Sequence, residues 1–254
     1  MVMTGPVLIL GGTAEARELA SLLVETGTDV VSSLAGAVPS PALPPGQVRL
    51  GGFGGPEGLA AYVRERGVPA VVDATHPFAA RMTTNAARGA ELTGVPLLRL
   101  QRPGWGGLPG AARWHWVDSV AEAVAVAERL GERSFVTTGV KTLPAYASWT
   151  DRYVLARMVT PPGWQVPPAW EILLARGPFD LNHETTLLRE RRIDVLTTKD
   201  SGGSSAEAKL HAADDLGVAV VVVRRPPLPD GVAVVRSAGE AARWVQAQVR
   251  LGSG

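Results

Sequence analysis

A glycine turn after the first aliphatic segment is the earliest place in the chain where residue types and spacing suggest chemistry. The turn reads Gly-Gly-Thr-Ala-Glu-Ala at 11–16, and a strand that enters a helix through such a turn presents backbone N–H groups and a positive helix end to a pyrophosphate. Thr13 replaces the second glycine of the dinucleotide fingerprint. Cofactor-binding residues are predicted at Gly11, Gly12, Thr13 and Ala14. The alternative is a tight turn with Thr13 as helix N-cap.

The end of the second predicted strand bears on which dinucleotide this turn would bind. NAD-binding proteins usually place a carboxylate there for the ribose diol, whereas Val-Ser-Ser-Leu at 31–34 offers hydroxyls and no acid. Ser32 and Ser33 could donate to a 2′-phosphate, and Arg49 could supply its cation. The pattern favours NADPH, unless the two serines only close a strand.

Two further segments follow predicted strands at the same edge of the sheet, where parallel α/β proteins bind ligands. Gly-Gly-Phe-Gly-Gly at 51–55 suits a close approach of backbone to a ligand, with Phe53 as a stacking surface or a core anchor. Asp-Ala-Thr-His at 73–76 places His76 at a helix start, which favours a neutral ring near the nicotinamide. Helix capping is the alternative role for His76. The predicted cofactor-binding residues here are Gly51, Gly52, Phe53, Gly54, Thr75 and His76.

The second half of the chain repeats the order strand, glycine loop and helix start at 197–205. This loop carries Lys199 and several hydroxyls, which suit an anionic group. It is not a P-loop, because no Gly-Lys-Ser/Thr closes it. Lysine is rare among the 25 basic residues, so each lysine position is a hint that an ammonium is preferred over a guanidinium. The lysines are Lys141, Lys199 and Lys209.

Short aliphatic runs alternate with amphipathic stretches along the chain, which predicts βαβ units. The expected fold is α/β, with two Rossmann-like parallel-sheet domains and a cleft between them. A connection rich in Gly, Pro and Trp at 102–113 sets the predicted boundary. Residues 1–112 are expected to bind NADPH and 113–254 to bind substrate. The proline-rich segment 160–177 is predicted as a loop over a site or the cleft.

Composition excludes several function classes. The net charge is +1 with no basic face, so no nucleic-acid partner is expected. No apolar run approaches the ~20 residues that span a bilayer, and a cytoplasmic protein without membrane contact is predicted. Without cysteine there is no thiolate metal site, iron–sulfur cluster or cysteine nucleophile. No metal site is predicted, and redox chemistry needs a diffusible cofactor. A monomer is compatible with the sequence, which does not fix the oligomeric state.

Taken in order, the motifs resemble the precorrin-6A reductases of cobalamin biosynthesis. The resemblance rests on Gly-Gly-Thr-x-Glu-Ala at 11–16, Ser-Leu-Ala-Gly at 33–36, Gly-Gly-Phe-Gly-Gly at 51–55 and Asp-Ala-Thr-His-Pro-Phe-Ala at 73–79. It continues at 99–105, 176–179, 198–203, Lys209 and 222–226. It implies NADPH-dependent reduction of one ring double bond in a corrin precursor, precorrin-6A to precorrin-6B, or in its cobalt-bearing counterpart. Hydride transfer would be followed by protonation of the neighbouring carbon.

A tetrapyrrole with many carboxylate arms needs scattered cations over an apolar floor. The predicted substrate-binding residues are Arg102, Trp105, Arg157, Arg176, Lys199, Ser201, Gly202, Gly203 and Lys209, with Trp164 or Trp170 as further covers of the ring. Solvated surface charge and simple packing are the alternatives for these side chains. His76, Lys199 and Asp200 are the predicted catalytic residues, as candidate proton donors beside water.

Two other classes remain open. A short-chain dehydrogenase would share the glycine turn but needs a Tyr-x-x-x-Lys pair, and Tyr62, Tyr146 and Tyr153 are followed at that spacing by Arg66, Thr150 and Arg157. A non-catalytic NADP-binding regulator is the second alternative. Oxidation of NADPH when a corrin precursor is supplied would separate it from a reductase.

Overall fold

The alternating segments form parallel strands and covering helices throughout residues 5–34 and 43–252, the part of the chain that the computed structural model describes. The chain divides into two units, one made of Met1–Arg102 with Pro227–Gly254 and the other of Pro103–Pro226. Each unit contains a six-stranded sheet in which neighbouring strands pair in parallel. The prediction of two parallel-sheet α/β domains is confirmed.

The bounds of the elements are as follows. The strands are β1 (Val7–Leu10), β2 (Val30–Leu34), β3 (Gln47–Leu50), β4 (Val71–Asp73), β5 (Leu97–Leu100), β6 (His115–Val117), β7 (Arg133–Val136), β8 (Tyr153–Met158), β9 (Trp170–Leu174), β10 (Val195–Lys199), β11 (Ala219–Val223) and β12 (Ala233–Val235). The α-helices are α1 (Ala14–Glu25), α2 (Pro56–Glu65), α3 (Ala80–Thr93), α4 (Val120–Leu130), α5 (Leu181–Glu190), α6 (Ala208–Leu216) and α7 (Ala238–Gly252). Short 3₁₀ segments lie at Trp105–Gly107, Ala111–Arg113, Val140–Tyr146 and Ser204–Ala206. None of the helices in these ranges combines the length and the apolar character that a membrane span requires.

The two sheets share one topology. The first has the order β12-β5-β4-β1-β2-β3 and the second the order β6-β11-β10-β7-β8-β9. If β7 is taken as the counterpart of β1, then β8, β9, β10 and β11 are the counterparts of β2, β3, β4 and β5. These counterparts have the same order along the chain and the same positions in the sheet. The sixth strand lies beside the counterpart strands β5 and β11 in the two sheets, but β12 reaches β5 from the end of the chain, whereas β6 precedes the other strands of the second unit. Each unit therefore presents an equivalent carboxyl edge.

The predicted domain boundaries differ from the structure at both ends of the second unit. We predicted domains at 1–112 and 113–254, but the chain enters the second unit after Arg102 and returns to the first after Pro226. Trp105 belongs to the core of the second unit, and Val245 of α7 belongs to the core that contains Leu19 of α1. A terminal strand and helix carry the pattern of any βα unit, and that pattern does not specify which sheet they complete.

The structure has one strand where the sequence predicted a loop. Strand β9 lies inside the segment 160–177 that we predicted as a loop, because prolines flank a run of only five strand residues. Helix α3 begins at Ala80, four residues after His76, which we had placed at a helix start. Pro77 is the second residue of a turn that is closed by a hydrogen bond of 2.8 Å from the Ala79 N–H to the His76 carbonyl. The fixed φ of proline suits this position.

Both faces of the first sheet are covered by helices. Along β1, Val7 and Ile9 belong to one core cluster, and Leu8 and Leu10 belong to the other. This alternation explains why the strand reads as a continuous aliphatic run. With both faces occupied, the loops at the carboxyl edge are the part of the sheet that can meet a ligand.

Candidate active site

The turn after β1 is organised by Thr13. Its hydroxyl accepts a hydrogen bond from the Ala16 N–H at 3.1 Å and donates one to the Ala74 carbonyl at 2.8 Å, so Thr13 is the N-cap of α1 and its single proton is already used. Gly12 is exposed, with φ of +115°, and a Cβ built there would meet no heavy atom within 4 Å. The open side of the turn lies at Gly12, beside the first N–H groups of α1. A phosphate there would contact backbone rather than the Thr13 hydroxyl.

Arg102, predicted as a substrate-binding cation, lies in the first unit and is paired with an acid. Its Nη1 is 2.7 Å from Oε2 of Glu15, which lies in the first turn of α1. An acid at a helix N-terminus repels an incoming phosphate, and the guanidinium offsets that charge. Arg102 therefore contributes to the electrostatics of the glycine turn.

Ser33 and Arg49 are brought together at the ends of β2 and β3, where they are register partners. Arg49 donates to Ser33 Oγ at 3.3 Å and to the carbonyls of Gly51 at 2.6 Å and Gly52 at 2.8 Å. Its Cζ lies 3.9 Å from the centroid of the Phe53 ring. Within 5–34 and 43–252, the Arg49 guanidinium has neutral acceptors and no carboxylate partner. A cation fixed in this way is suited to bind an anion.

Ser32 does not share this arrangement, and its predicted contact with the cofactor is wrong. Side chains alternate along a strand, so Ser32 lies on the other face of the sheet from Ser33. It is 1% exposed, in register with Ile9 and Val48. A ligand at the carboxyl edge cannot reach a hydroxyl buried in this way. Of the motif at 33–36, residues 35 and 36 lie outside the described ranges.

The glycine loop after β3 owes its shape to three positive φ angles. These are +101° at Gly51, +81° at Gly54 and +111° at Gly55, values that residues with a Cβ rarely adopt. A Cβ at Gly52 would meet nothing within 4 Å, so the backbone there is open to a ligand. Phe53 packs edge-on against Tyr62, with ring centroids 5.3 Å apart. Of its two predicted roles, Phe53 takes that of a core anchor.

The turn after β4 is held by a buried ion pair. Nη1 of Arg99 lies 2.8 Å from Oδ1 of Asp73, with both side chains 1% exposed. The same oxygen accepts from the Thr75 hydroxyl at 2.7 Å and from the Thr75 N–H at 3.0 Å, and Arg99 also donates to the Thr75 hydroxyl at 3.0 Å and carbonyl at 3.0 Å. Thr75, predicted to bind the cofactor, therefore has a hydroxyl committed to the protein. Its network fixes the backbone that carries His76.

His76 is exposed at this edge. Its Nδ1 accepts a hydrogen bond from the Phe78 N–H at 3.2 Å, so the neutral ring carries its proton on Nε2. The ring does not cap α3, which begins at Ala80 with Ala79 at its N-cap position. The predicted alternative of helix capping is therefore wrong, and His76 is an oriented imidazole on the ligand side of the sheet.

In the second unit, Asp200 joins three segments. Its Oδ1 accepts from the Trp105 N–H at 2.8 Å, and its Oδ2 lies 3.2 Å from Nε of Arg225. A Cβ at Gly104 would lie 2.5 Å from Oδ2, so glycine is required where this chain passes the carboxylate. Asp200 is 8% exposed. A buried, ion-paired carboxylate that anchors backbone does not fit the predicted role of proton donor.

The glycines after Asp200 are packed rather than open. A Cβ at Gly202, where φ is +67°, would lie 2.2 Å from the Pro103 carbonyl oxygen, and the Gly203 carbonyl accepts from Nε1 of Trp105 at 3.2 Å. Gly202 makes room for Pro103, and the predicted binding of an anion by Gly202 and Gly203 stays a prediction. The N–H of Ser201 is turned back to the Lys199 carbonyl at 2.6 Å.

Arg157 and Lys209 were predicted to bind substrate carboxylates, but both are buried. Arg157 forms a two-pronged ion pair with Glu184, at 2.5 Å and 2.9 Å. Lys209 donates to the Ala206 carbonyl, and its Nζ lies 4.5 Å from the ring centroid of Trp105. Burial, followed by the nearby Arg157 charge, lowers the pKa of Lys209 to about 7. These cations belong to the interior of the second unit.

The tryptophans predicted to cover the macrocycle also pack inside the second unit. Trp105 is 2% and Trp170 7% exposed, and half-buried Trp164 packs edge-on against Trp170 with centroids 5.9 Å apart. The prediction is wrong for Trp105 and Trp170. Arg176 is exposed, and it has no ion pair with any residue whose placement is described. It stays a candidate for a ligand carboxylate.

Lys199 is the last residue of β10, at the carboxyl edge of the second sheet. It is half-buried. Burial lowers the pKa of its ammonium, and so does the charge of Lys141. Lys141 is exposed and lies in the 3₁₀ segment Val140–Tyr146, which follows the neighbouring strand β7. Lys199 and Lys141 therefore follow neighbouring strands, and of these two lysines sequence reasoning had assigned a role only to Lys199.

Comparisons with known proteins decide the family. The family described as precorrin-6x reductase CbiJ/CobK matches residues 6–246. The chain belongs to this family. A precorrin-6A reductase of Rhodococcus erythropolis is 50% identical over 240 residues, covering 94% of this chain and 96% of the relative. A cobalt-precorrin-6A reductase of Salmonella typhimurium is 32% identical over 267 residues, covering 96% and 98%. The solved structure of CobK precorrin-6A reductase has a TM-score of 0.89 at 37% identity, covering 96% of this chain and 97% of that one.

Membership of the precorrin-6x reductase family confirms the resemblance seen in the motifs and the predicted reaction class, an oxidoreductase of cobalamin biosynthesis that reduces a ring double bond of a corrin precursor. The two predicted alternatives, a short-chain dehydrogenase and a non-catalytic regulator, are not supported. Among supporting residues, sequence reasoning missed the pairing of Arg99 with Asp73. The available signal was an arginine and an aspartate on two aliphatic segments that predict neighbouring buried strands, where a charged side chain needs a partner.

Proposed function

We propose that this member of the precorrin-6x reductase family reduces cobalt-free precorrin-6A to precorrin-6B with NADPH as the hydride donor. The observation that carries the choice of cofactor is the Arg49 guanidinium, held against Ser33 with neutral acceptors around it. A 2′-phosphate would supply the anion that this guanidinium lacks among the described residues. No acid stands at the end of β2 to bind an unphosphorylated ribose.

The residues of the first unit fit such a cofactor. The backbone of Gly11, Gly12 and Ala14 would hold the pyrophosphate at the start of α1, and Ser33 with Arg49 would hold the 2′-phosphate. The loop of Gly51, Gly52 and Gly54 would lie along the nucleotide, with Thr75 and His76 toward the nicotinamide. When bound, NADPH supplies the hydride. The protein's own contribution is orientation and exclusion of water.

The proton that completes the reduction is assigned to His76. To give a proton His76 must first be the imidazolium, because a neutral ring that lost its only proton would become an imidazolate; Nδ1, which accepts from the Phe78 N–H in the neutral ring, would then have to leave that hydrogen bond. Asp200 is dropped from this role because its oxygens are engaged by Trp105 and Arg225. His76→Asn should therefore lower kcat more than it raises KM for either substrate.

The second unit is the proposed substrate domain, with Lys199 and Arg176 as its carboxylate-binding cations. Both lie outside the buried ion pairs of this unit, since Lys199 is half-buried at the sheet edge and Arg176 is exposed. Arg157, Lys209 and Asp200 support the fold around them.

The choice of a cobalt-free substrate is supported by the relatives. Those named precorrin-6A reductase are between 41% and 50% identical to this chain, whereas those named cobalt-precorrin-6A reductase are between 29% and 32% identical. The deciding assay supplies purified protein with precorrin-6A and NADPH without oxygen and follows NADPH absorbance and product mass. Reduction of cobalt-precorrin-6A at least tenfold faster than precorrin-6A would overturn the metal-free assignment. Absence of NADPH oxidation with both would overturn the proposed function.

A further inference from the structure

The N–H, the hydroxyl and the carbonyl of Thr75 are all bound by one buried ion pair. The N–H and the hydroxyl both donate to Oδ1 of Asp73, at 3.0 Å and 2.7 Å. Arg99 donates to the same hydroxyl and to the Thr75 carbonyl, each at 3.0 Å. Asp73 and Arg99 are register partners on the neighbouring strands β4 and β5. Two strands thus fix both the backbone and the side chain of this one residue.

The residue that follows Thr75 is held as well. His76 accepts the Ala79 N–H with its carbonyl at 2.8 Å and the Phe78 N–H with Nδ1 at 3.2 Å. Together with the ion pair, these bonds fix a segment, residues 74–79, that belongs to neither a strand nor a helix. Ordering a loop in this way removes conformational freedom that loops normally keep. In the proposed function, this is the segment that faces the nicotinamide.

The second unit shows that the sheet itself does not require such an ion pair. In the first sheet, Asp73 pairs with the last residue of β1 and with Arg99 of β5. In the second, Thr197 pairs with the last residue of β7, the counterpart of β1, and with Val221 of β11. Thr197 and Val221 are uncharged and fully buried. The same two positions are therefore filled without charge in the second unit.

Stability alone does not account for the ion pair in the first unit. Both charges lose their hydration, since each side chain is 1% exposed, and replacing such a pair by packed apolar side chains is often neutral for stability or favourable. What a guanidinium and a carboxylate provide is a set of hydrogen bonds in a defined geometry. At the edge where the cofactor would bind, that geometry holds Thr75 and the segment after it.

We propose that Asp73 and Arg99 are positioning residues of the reductase, which act through Thr75 and hold the segment 74–79 against the nicotinamide. The inference rests on the proposed function. The segment has to orient the nicotinamide ring and exclude water during hydride transfer, and small displacements of reacting groups lower a rate steeply. Loss of the ion pair should therefore slow hydride transfer, while the phosphate contacts at the other two turns of this edge keep the cofactor bound.

The test follows a single turnover, in which protein carrying one equivalent of NADPH is mixed with saturating precorrin-6A without oxygen. Asp73→Thr combined with Arg99→Val places the residues of the second unit at the same sheet positions, so this double variant should fold. Its rate constant for NADPH oxidation should fall by about tenfold or more. Deuterium at C4 of NADPH should lower that rate constant further, because hydride transfer is the slowed step. The affinity for NADPH, measured by calorimetry, should be nearly unchanged.

Thr75 gives a second test that keeps the ion pair in place. Thr75→Val keeps the shape of the side chain and removes its hydroxyl, so it should slow the same step, whereas Thr75→Ser keeps the hydroxyl and should keep most of the wild-type rate. The control is Thr93→Val at the end of α3, which removes a hydroxyl that donates to the Gly89 carbonyl at 2.8 Å. Since α3 runs from the carboxyl edge back towards the start of β5, the control should not change the rate constant.

The amplitude of the first phase separates positioning from folding. If the ion pair only supports the fold, its loss lowers this amplitude per mole of protein and leaves the rate constant unchanged, and that outcome would overturn the proposal. An unchanged rate constant in either folded variant would overturn it too, as would weaker NADPH binding with an unchanged rate constant at saturation. Wild-type protein that oxidises no NADPH would refute the proposed function instead, so the two failures are distinguishable.

Discussion

Arg49 is positioned by the protein before any ligand binds. Its guanidinium is fixed by Ser33, by two loop carbonyls and by the face of Phe53, so little side-chain entropy remains to be lost when a phosphate arrives. Lys199, the proposed carboxylate-binding cation of the second unit, differs from it, because an ammonium group on a flexible stem can follow a carboxylate arm. The two kinds of cation match the two kinds of anion that the proposed reaction brings together.

The first prediction follows from this contrast. Wild-type protein should prefer NADPH to NADH by at least tenfold in kcat/KM, which is about 1.4 kcal/mol and within the range of one charge-assisted contact. Arg49→Met should remove most of this preference by raising KM for NADPH, with KM for NADH nearly unchanged. Steady-state kinetics with both cofactors measure it. Arg64→Met, on the α2 surface, is the control, and an unaltered preference in Arg49→Met would refute the 2′-phosphate assignment.

At the scale of elements, glycines perform two separate tasks. Gly104 and Gly202 allow chain segments to pack within contact distance of a carboxylate and a carbonyl. Gly12 and Gly52 face open space at the sheet edge. In the sequence, both kinds of glycine lie in similar glycine-containing loops. Only the packing of neighbouring segments shows whether such a loop is open to a ligand or filled by another part of the chain.

Gly52 provides the second prediction. It has no positive φ, and a Cβ there meets nothing within 4 Å, so Gly52→Val should fold normally while placing a side chain where the nucleotide would approach. NADPH affinity, measured by calorimetry, should fall at least tenfold with Tm within about 2 °C of wild type. Gly106→Val in the second unit, which is also exposed and open, should alter neither quantity. Undiminished NADPH affinity in Gly52→Val would remove the glycine loop from the cofactor site.

Helix α6 carries a buried ammonium, and the third prediction concerns its effect on stability. The pKa of Lys209 falls from its ordinary 10.5 to about 7 in the folded protein, through burial and the Arg157 charge, with Glu184 opposing. Between these values the unfolded chain binds more protons than the folded one, so this lysine makes stability rise with pH from about 7 to 10.5.

Lys209→Met removes that titration. The variant should be more stable than wild type at pH 7 and should show a flatter dependence of Tm on pH up to pH 10, as measured by calorimetry. Arg129→Met changes an exposed cation in the last turn of α4 and should keep the wild-type dependence. An equally steep rise in Tm with pH in Lys209→Met would mean that Lys209 is charged in the folded protein.

Sequence reasoning reached the strands, the helices and the cofactor edge of the first unit because their signals are local. Aliphatic runs, a glycine turn and the absence of an acid after β2 can each be read within a few residues. The buried cations were misassigned for the opposite reason. Arg157 and Lys209 look like surface charges in sequence, and their burial depends on Glu184 and Trp105, which lie far along the chain.

The molecule as a whole repeats one sheet topology in two units that have diverged in charge. The second unit is continuous and contains all six strands of its sheet, whereas the first sheet is completed only when β12 and α7 return to it from the end of the chain. The amino-acid sequence shows no internal repeat. The two sheets share the order of their strands, whereas the side chains at the strand ends differ between the two units. Equivalent edges with unlike charge sources predict a division of labour between the units.

The fourth prediction tests that division with one variant from each unit. Lys199→Met should lower kcat/KM for precorrin-6A by roughly ten- to a hundredfold at saturating NADPH, since a charge-assisted hydrogen bond is worth about 1.5–3 kcal/mol. Its NADPH affinity should stay constant, whereas Arg49→Met should show the reverse. If each residue binds a different ligand, the free-energy effects on overall catalysis should add in the double variant. Loss of NADPH binding in Lys199→Met with intact substrate binding would exchange the roles of the two units, because the cofactor phosphates would then lie on the second edge.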